Sequence, residues 1–419
     1  MTLLKKEANR LMEGANKSGD TTLIKDVQRL FQENIREWGM YIALLVIMII
    51  FTITTKGIFL SSRNISNLIN QTGYIAVLAI GMTLVIIISH IDLSVGYLSG
   101  FLGAVAATAM EFWHLPASIS IALIIILGAM AGFLSGFLVG QMKIPAFVAT
   151  LAGWLGYRGA LQLVTMHRGT IVITNDVFNA IGNGYIPDIL NIPNIGILTG
   201  VHKLTLILGI LVIIFYISSA IKKRNSMLDH KFKVSPMHFF ILKLIAMSAL
   251  IGIIAWILSG YRGLSWTAVI MIVVVLFYHF IMTRTNLGRH IYAVGGNPEA
   301  AQLTGISVKR ITYIVFCSMG ILAALSGILY ASRFKSATTT AGMLFEMDAI
   351  AAAFVGGASP SGGIGKVTGS IVGAFVMMSL TSGMNLMGID ISYQYVVRAL
   401  VLVAAVVFDV ATRNKKKIY

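Results

Sequence analysis

The sequence predicts an all-α polytopic membrane protein, and three observations carry that prediction. Hydrophobic residues make up 57% of the 419 and charged residues 11%, with a mean hydropathy of +0.85; a soluble chain carries about a quarter charged residues. Apolar stretches of about 20 residues recur along the chain, the length that crosses a hydrocarbon core about 30 Å thick. The 41 glycines suit helices that pack closely in lipid.

Taken in order, the apolar stretches are 40–55, 67–89, 93–110, 117–141, 144–165, 203–220, 238–259, 264–282, 311–331, 345–358, 367–387 and 392–409, about twelve segments. The tenth is short and ends in glycines, so it reads as a broken or re-entrant helix. With the N-terminus inside, residues 1–37, the connections 142–143, 221–237, 283–310 and 359–366, and the tail hold 22 of the 32 Lys and Arg. That is the positive-inside asymmetry. Twelve crossings keep Arg413, Lys415, Lys416 and Lys417 inside, and an eleven-crossing count would put them outside. The organisation expected is a cytoplasmic N-terminal segment 1–37, a transmembrane domain 38–412 with an extracytoplasmic stretch 166–202 and a cytoplasmic loop 283–310, and a basic tail 413–419.

The formal net charge of +16 would suit nucleic acid, but its placement matches loops that face anionic lipid headgroups. No nucleic-acid partner is expected. The single Cys317 lies inside an apolar run, which excludes a disulfide or a thiolate metal site. Neither a nucleophile–base pattern nor a zincin motif occurs, so the chain reads as non-catalytic, without cofactor or metal.

Backbone that leaves helical form at membrane depth must be satisfied by protein or by a wet cavity. Three such places stand out: His90 to Gly96, the stretch from His167 to His202, and Gly356 to Gly365. In the first, Asp92 precedes an apolar span with Ser94 placed to cap it and Gly96 one turn further on. A boundary carboxylate is a functional candidate, though an Asp near a helix start is also an ordinary cap. In the third region, Glu346 and Asp348 open a segment that ends in Gly356, Gly357 and Ser359. A phosphate loop of the form G-x-x-x-x-G-K-[ST] fails here, with Pro360 at the first Gly position and Val367 after Lys366. Glycine-mediated packing beside a translocation path and a purely structural break both fit. Arg158 in the 144–165 span either snorkels or pairs inside the bundle. Trp154 and Tyr157 beside it offer aromatic faces to a solute or form part of an interfacial belt. Arg398 needs an internal partner that the sequence does not identify.

In the loop 283–310, Asn297 suits an N-cap, Pro298 the first helical position, Glu299 the positive helix end and Gly305 a left-handed stop. They predict a helix of about two turns that shows Ala300, Ala301 and Leu303 either to its own bundle or to a cytoplasmic partner.

As a set these motifs resemble the permeases of the ribose/xylose/galactose class of ABC sugar importers, over residues 38–412. The matching stretches are Asn64 to Gln71, Ile91 to Gly96, Lys143 to Thr150, Gly288 to Asn297, Ala300-Ala301 with Gly305-Ile306, and Ala351 to Ser359 with Gly362 to Gly365. The resemblance is closest to the multiple-monosaccharide permeases, with the xylose permease next. Region 166–262 departs from the ribose type, whose ten-span core it extends by a helix pair. The resemblance implies a bacterial plasma-membrane complex of two permease chains, a cytoplasmic ATPase and an extracytoplasmic sugar-binding protein, with both permease termini cytoplasmic. It assigns ATPase docking to Asn297, Pro298, Glu299, Ala300, Ala301, Leu303 and Gly305. Translocation candidates are Asp92, Ser94, Gly96, Trp154, Tyr157, Glu346, Asp348, Gly356, Gly357 and Ser359. The rival readings are an ion-coupled secondary carrier using Asp92, Glu346 and Asp348, and an ABC permease for nucleosides or branched-chain amino acids.

Overall fold

A computed structural model describes residues 35–166, 168–188, 199–230, 232, 234 and 236–416. Most of the expected cytoplasmic segment 1–37, His167 and residues 189–198 of the external stretch, and the end of the basic tail lie outside the described residues.

Fifteen helices form among the described residues, and twelve of them coincide with the twelve apolar stretches. In chain order they are α1 (Ile35–Thr54), α2 (Ser62–Ile87), α3 (Val95–Glu111), α4 (Ala117–Gly140), α5 (Ala146–Thr165), α6 (Asp176–Asn183), α7 (Lys203–Asp229), α8 (Met237–Ser259), α9 (Trp266–Arg284), α10 (Asn286–Gly296), α11 (Pro298–Leu303), α12 (Val308–Phe334), α13 (Phe345–Val355), α14 (Val367–Leu386) and α15 (Ile391–Lys416). Seven of these (α2, α4, α7, α8, α9, α12 and α14) are long and apolar enough to cross a membrane. The starts follow capping chemistry: Ser61 Oγ accepts from the Asn64 N–H at α2, Ser265 Oγ from Ala268 at α9, and Ser307 Oγ from Arg310 at α12.

The bundle is organised around α2, of whose most apolar stretch 94% is buried. Around it stand α9, α12, α13 and α14. The tightest seam joins α4 to α12. A side chain at Gly128 would strike the carbonyl of Gly320, and one at Gly320 the carbonyl of Gly128. Two helices meet there backbone to backbone, the close approach that small residues permit in lipid. By contrast, α7 and α8 pack chiefly on one another. Only 11% of the most apolar stretch of each is buried. They are the two apolar helices of region 166–262.

On one side of the bundle, Ile171–Val172 (β1) pairs antiparallel with Ser336–Ala337 (β2). Beside this ribbon lies α6, which the apolar pattern does not predict; Asn175 caps it by accepting from the Phe178 N–H at 3.0 Å. Arg333 at the end of α12 donates to Asn183 Oδ1 at 3.0 Å and to Asn67 Oδ1 at 3.2 Å, which ties α6 and α2 together. On the opposite side α10 and α11 form the 283–310 loop. The expected two-turn helix is the six-residue α11, stopped at Gly305 with φ of 85°. Most of the loop's helical content is α10, whose Thr285 cap at the end of α9 gave no apolar signal.

Candidate functional site

The half-length helix α13 is the centre of the site. Its 11 residues rise about 16 Å at 1.5 Å per residue, about half of a bilayer core, as the broken-helix reading expects. It starts from Leu344 at φ of 65°, a left-handed conformation that costs a side-chain-bearing residue about 1–2 kcal/mol. The first turn is anchored on three sides. Phe345 wedges between Tyr74 of α2 and Tyr330 of α12, with ring centroids 5.0 Å from each. Glu346 faces α3 and α5. Asp348 faces α15, where Arg398 Nη1 donates to its Oδ1 at 2.6 Å. The internal partner that Arg398 requires is therefore Asp348, fifty positions away in sequence.

Glu346 is buried, with 1% of its surface exposed. Its Oε1 accepts the indole N–H of Trp154 on α5 at 3.0 Å. Its Oε2 lies against Gly96 of α3, where any side chain would collide with it, and has no hydrogen-bond partner among the described residues. A buried polar atom left unpaired costs about 1–3 kcal/mol, so this arrangement holds one favourable and one unfavourable contact on the same carboxylate. Arg158 stands over Trp154 and over Tyr97 at 5.5 and 5.8 Å to the ring centroids. Tyr97 meets Trp154 edge-on at 5.0 Å, and Tyr157 stacks on Phe101 at 6.4 Å. Gly153 brings α5 against Ser94, and Thr150 Oγ1 donates to the Ile91 carbonyl at 3.3 Å.

The structure thus brings Asp92, Ser94, Gly96, Trp154, Tyr157 and Glu346 into one node between α3, α5 and the start of α13. Within it the capping roles reverse. Ser94 occupies the cap position of α3 without accepting a helix N–H. Instead Asp92 Oδ1 accepts from the Ser94 N–H at 2.9 Å and the Ser94 hydroxyl at 2.6 Å, the local turn that Asp side chains favour. Asp348 sits apart from the node, because residues two apart on a helix face different sides.

Gly356, Gly357 and Ser359 lie at the other end of α13. The carbonyl of Gly369 on α14 occupies the place a side chain would take at Gly356, while Gly357 turns at φ of 88° and Ser359 is buried. The connection 356–366 that follows meets the 283–310 loop. Tyr292 of α10 donates to the Gly365 carbonyl at 2.6 Å, and the Gly363 N–H to the Ile87 carbonyl at 2.8 Å. On α11, Asn297 Oδ1 accepts from the Ala300 N–H at 3.0 Å. Glu299, Ala300 and Leu303 are exposed, Leu303 at 89%, whereas Ala301 is turned inward at 4%. The short apolar face presented is therefore Ala300 and Leu303 without Ala301. Tyr97, Tyr292 and Leu344 were not singled out from sequence; a tyrosine or leucine in an apolar run carries no signal of its partner.

A helical fold with several membrane-length apolar helices, its polar groups gathered where helices break, defines a multi-pass membrane protein. Comparison with known proteins sharpens this. The family described as branched-chain amino acid transport system / permease component matches residues 64–406, and the chain belongs to that family. It is 37% identical over 390 residues to the xylose transport system permease protein XylH of Haemophilus influenzae, covering 93% of this chain and 99% of that one. The Escherichia coli K12 protein of the same name is 37% identical over 383 residues, covering 91% and 93%. The ribose import permease protein RbsC of Escherichia coli K12 is 34% identical over 376 residues, covering 90% and 93%. No solved structure matches the chain. The chain is thus a non-catalytic permease subunit of an ABC importer, a class that works with a separate ATPase and a binding protein.

Proposed function

We propose that the chain forms the translocation path of an ATP-driven monosaccharide importer in a bacterial plasma membrane. The observation that carries the cargo is the pair of sugar names, xylose and ribose, borne by relatives that align over nine-tenths of the chain. The multiple-monosaccharide type keeps its place as a finer reading, tested by competition among pentoses and hexoses. The family description names branched-chain amino acids instead, so leucine belongs in the same competition series. Uptake of labelled xylose or ribose that unlabelled pentose suppresses and leucine does not supports the sugar; the reverse order overturns it.

The path we propose runs along the outward face of α5 beside α13 and α15, with a second copy of the permease closing it. Arg158 is exposed on that face, and a guanidinium facing lipid costs about 2.5–3.5 kcal/mol on insertion scales. Water or a partner protomer relieves that cost. Twelve crossings with both termini cytoplasmic put α10 and α11 on the ATPase side, and a C-terminal reporter fusion active in the cytoplasm tests the orientation. There α11, with exposed Glu299, Ala300 and Leu303, docks the ATPase. Glu299→Lys is expected to abolish uptake and ATPase co-purification while the protein stays in the membrane. Retained co-purification overturns the docking assignment.

A further inference from the structure

We infer that the Trp154–Glu346 hydrogen bond is a latch that holds α5 against α13 in the resting transporter, and that its release opens Glu346 to the path, where its carboxylate accepts hydrogen bonds from the hydroxyls of a neutral polyol. The inference rests on the transport reading above and names the contact through which that path opens.

Four observations lead to it. The α13 side of the contact is immobilised, by Phe345 between Tyr74 and Tyr330 and by Asp348 paired to Arg398. The α5 side is packed on one face only, against α3 through Gly153 and Tyr157; on its other face Leu155 and Leu163 are 60% and 70% exposed, and a side chain at Gly156 or Gly159 would meet open space. Of the two helices, α5 is the one with room to swing. Next, the carboxylate is held where one oxygen is bonded and the other has no partner among the described residues. The closed arrangement therefore contains its own tendency to open, since Oε2 gains partners as soon as water or a hydroxyl reaches it. Persistence of such a contact requires surroundings that over-determine it. Gly96 supplies part of that: it lets α3 press on the carboxylate, and a methyl there would expel it. Finally, the connection 356–366 that leads from this half-helix to α14 touches the loop that carries α10 and α11, through Gly365 and Tyr292. A displacement at the cytoplasmic loop reaches the latch through this connection and α13.

Trp154 and Glu346 are positioning residues in the resting state, and Glu346 becomes a binding residue in the open one. A hydrogen bond to a charged group shifts a two-state balance by about tenfold or more. Trp154→Phe keeps the ring and removes the donor; Glu346→Ala removes the acceptor. In the purified permease–ATPase complex, each is expected to raise ATP hydrolysis in the absence of the binding protein by about tenfold, while coupled uptake in cells falls. Because both break one contact, Trp154→Phe/Glu346→Ala is expected to raise unstimulated hydrolysis no further than either single variant. Glu346→Gln keeps an acceptor and is expected to fall between Glu346→Ala and the parent. Single-variant increases that multiply in the double variant, or unstimulated hydrolysis at the parent level in Trp154→Phe, overturn the latch. Parent uptake that persists when ATP is depleted overturns the importer reading itself, an outcome distinct from either.

Discussion

The helices around α2 and the pair α7–α8 solve the same problem, crossing a bilayer, in opposite ways. Around α2 the chain uses glycines and small side chains, so backbones touch and little of α2 meets the surroundings. In α7 and α8 it uses bulky aliphatics that stay exposed, Phe215 at 76% among them. Their hydropathy is nevertheless the higher, 2.6 and 2.4 against 1.6 for α2. Lipid tails are as apolar as leucine, so hydrophobicity does not drive helices together inside a membrane; packing does. The most hydrophobic helices are accordingly the least buried, and the polar node forms where the small residues are.

That contrast can be broken at graded cost. Gly320→Val forces a branched side chain into the Gly128 carbonyl. Because backbone on both helices must move, destabilisation exceeds about 3 kcal/mol, read as loss of the monodisperse peak after detergent extraction. Arg398→Ala leaves the half-buried Asp348 without its partner and is expected to cost about 2 kcal/mol, read as a lower unfolding temperature. Asp348→Asn added to it should recover part of that loss, because the uncompensated charge is gone. Phe215→Ala removes a lipid-facing ring and is expected to stay within about 0.5 kcal/mol. A large loss there would show that α7 packs against a partner rather than lipid.

Twelve of the fifteen helices among the described residues were legible because a crossing helix needs a long apolar run whatever it packs against. The broken segment at 345–358 was legible as well, from its length and the glycines that follow. The helices α6 and α10 were not, because each is short and its start depends on one cap, Asn175 or Thr285, among many similar residues. At the candidate site the residue types were readable but the pairings were not. Asp348 and Glu346 look alike in sequence, both acids at the start of one apolar segment. Yet one finds Arg398 and the other Trp154, because helical geometry turns them to different neighbours. Asp92 and Ser94 exchanged roles for a local reason: a carboxylate oxygen two residues back accepts both the N–H and the hydroxyl of Ser94.

The sequence by itself determined the class of the protein, its apolar segments, the asymmetry of its charge and the cap residues of α11, since these depend on composition and spacing along the chain. The tertiary structure decided which charges within the bundle are paired, which face of α11 remains outward and where one carboxylate oxygen is left without a partner among the described residues. Those depend on which helices touch, and in lipid that is settled by the fit of small residues rather than by the hydrophobicity a sequence displays.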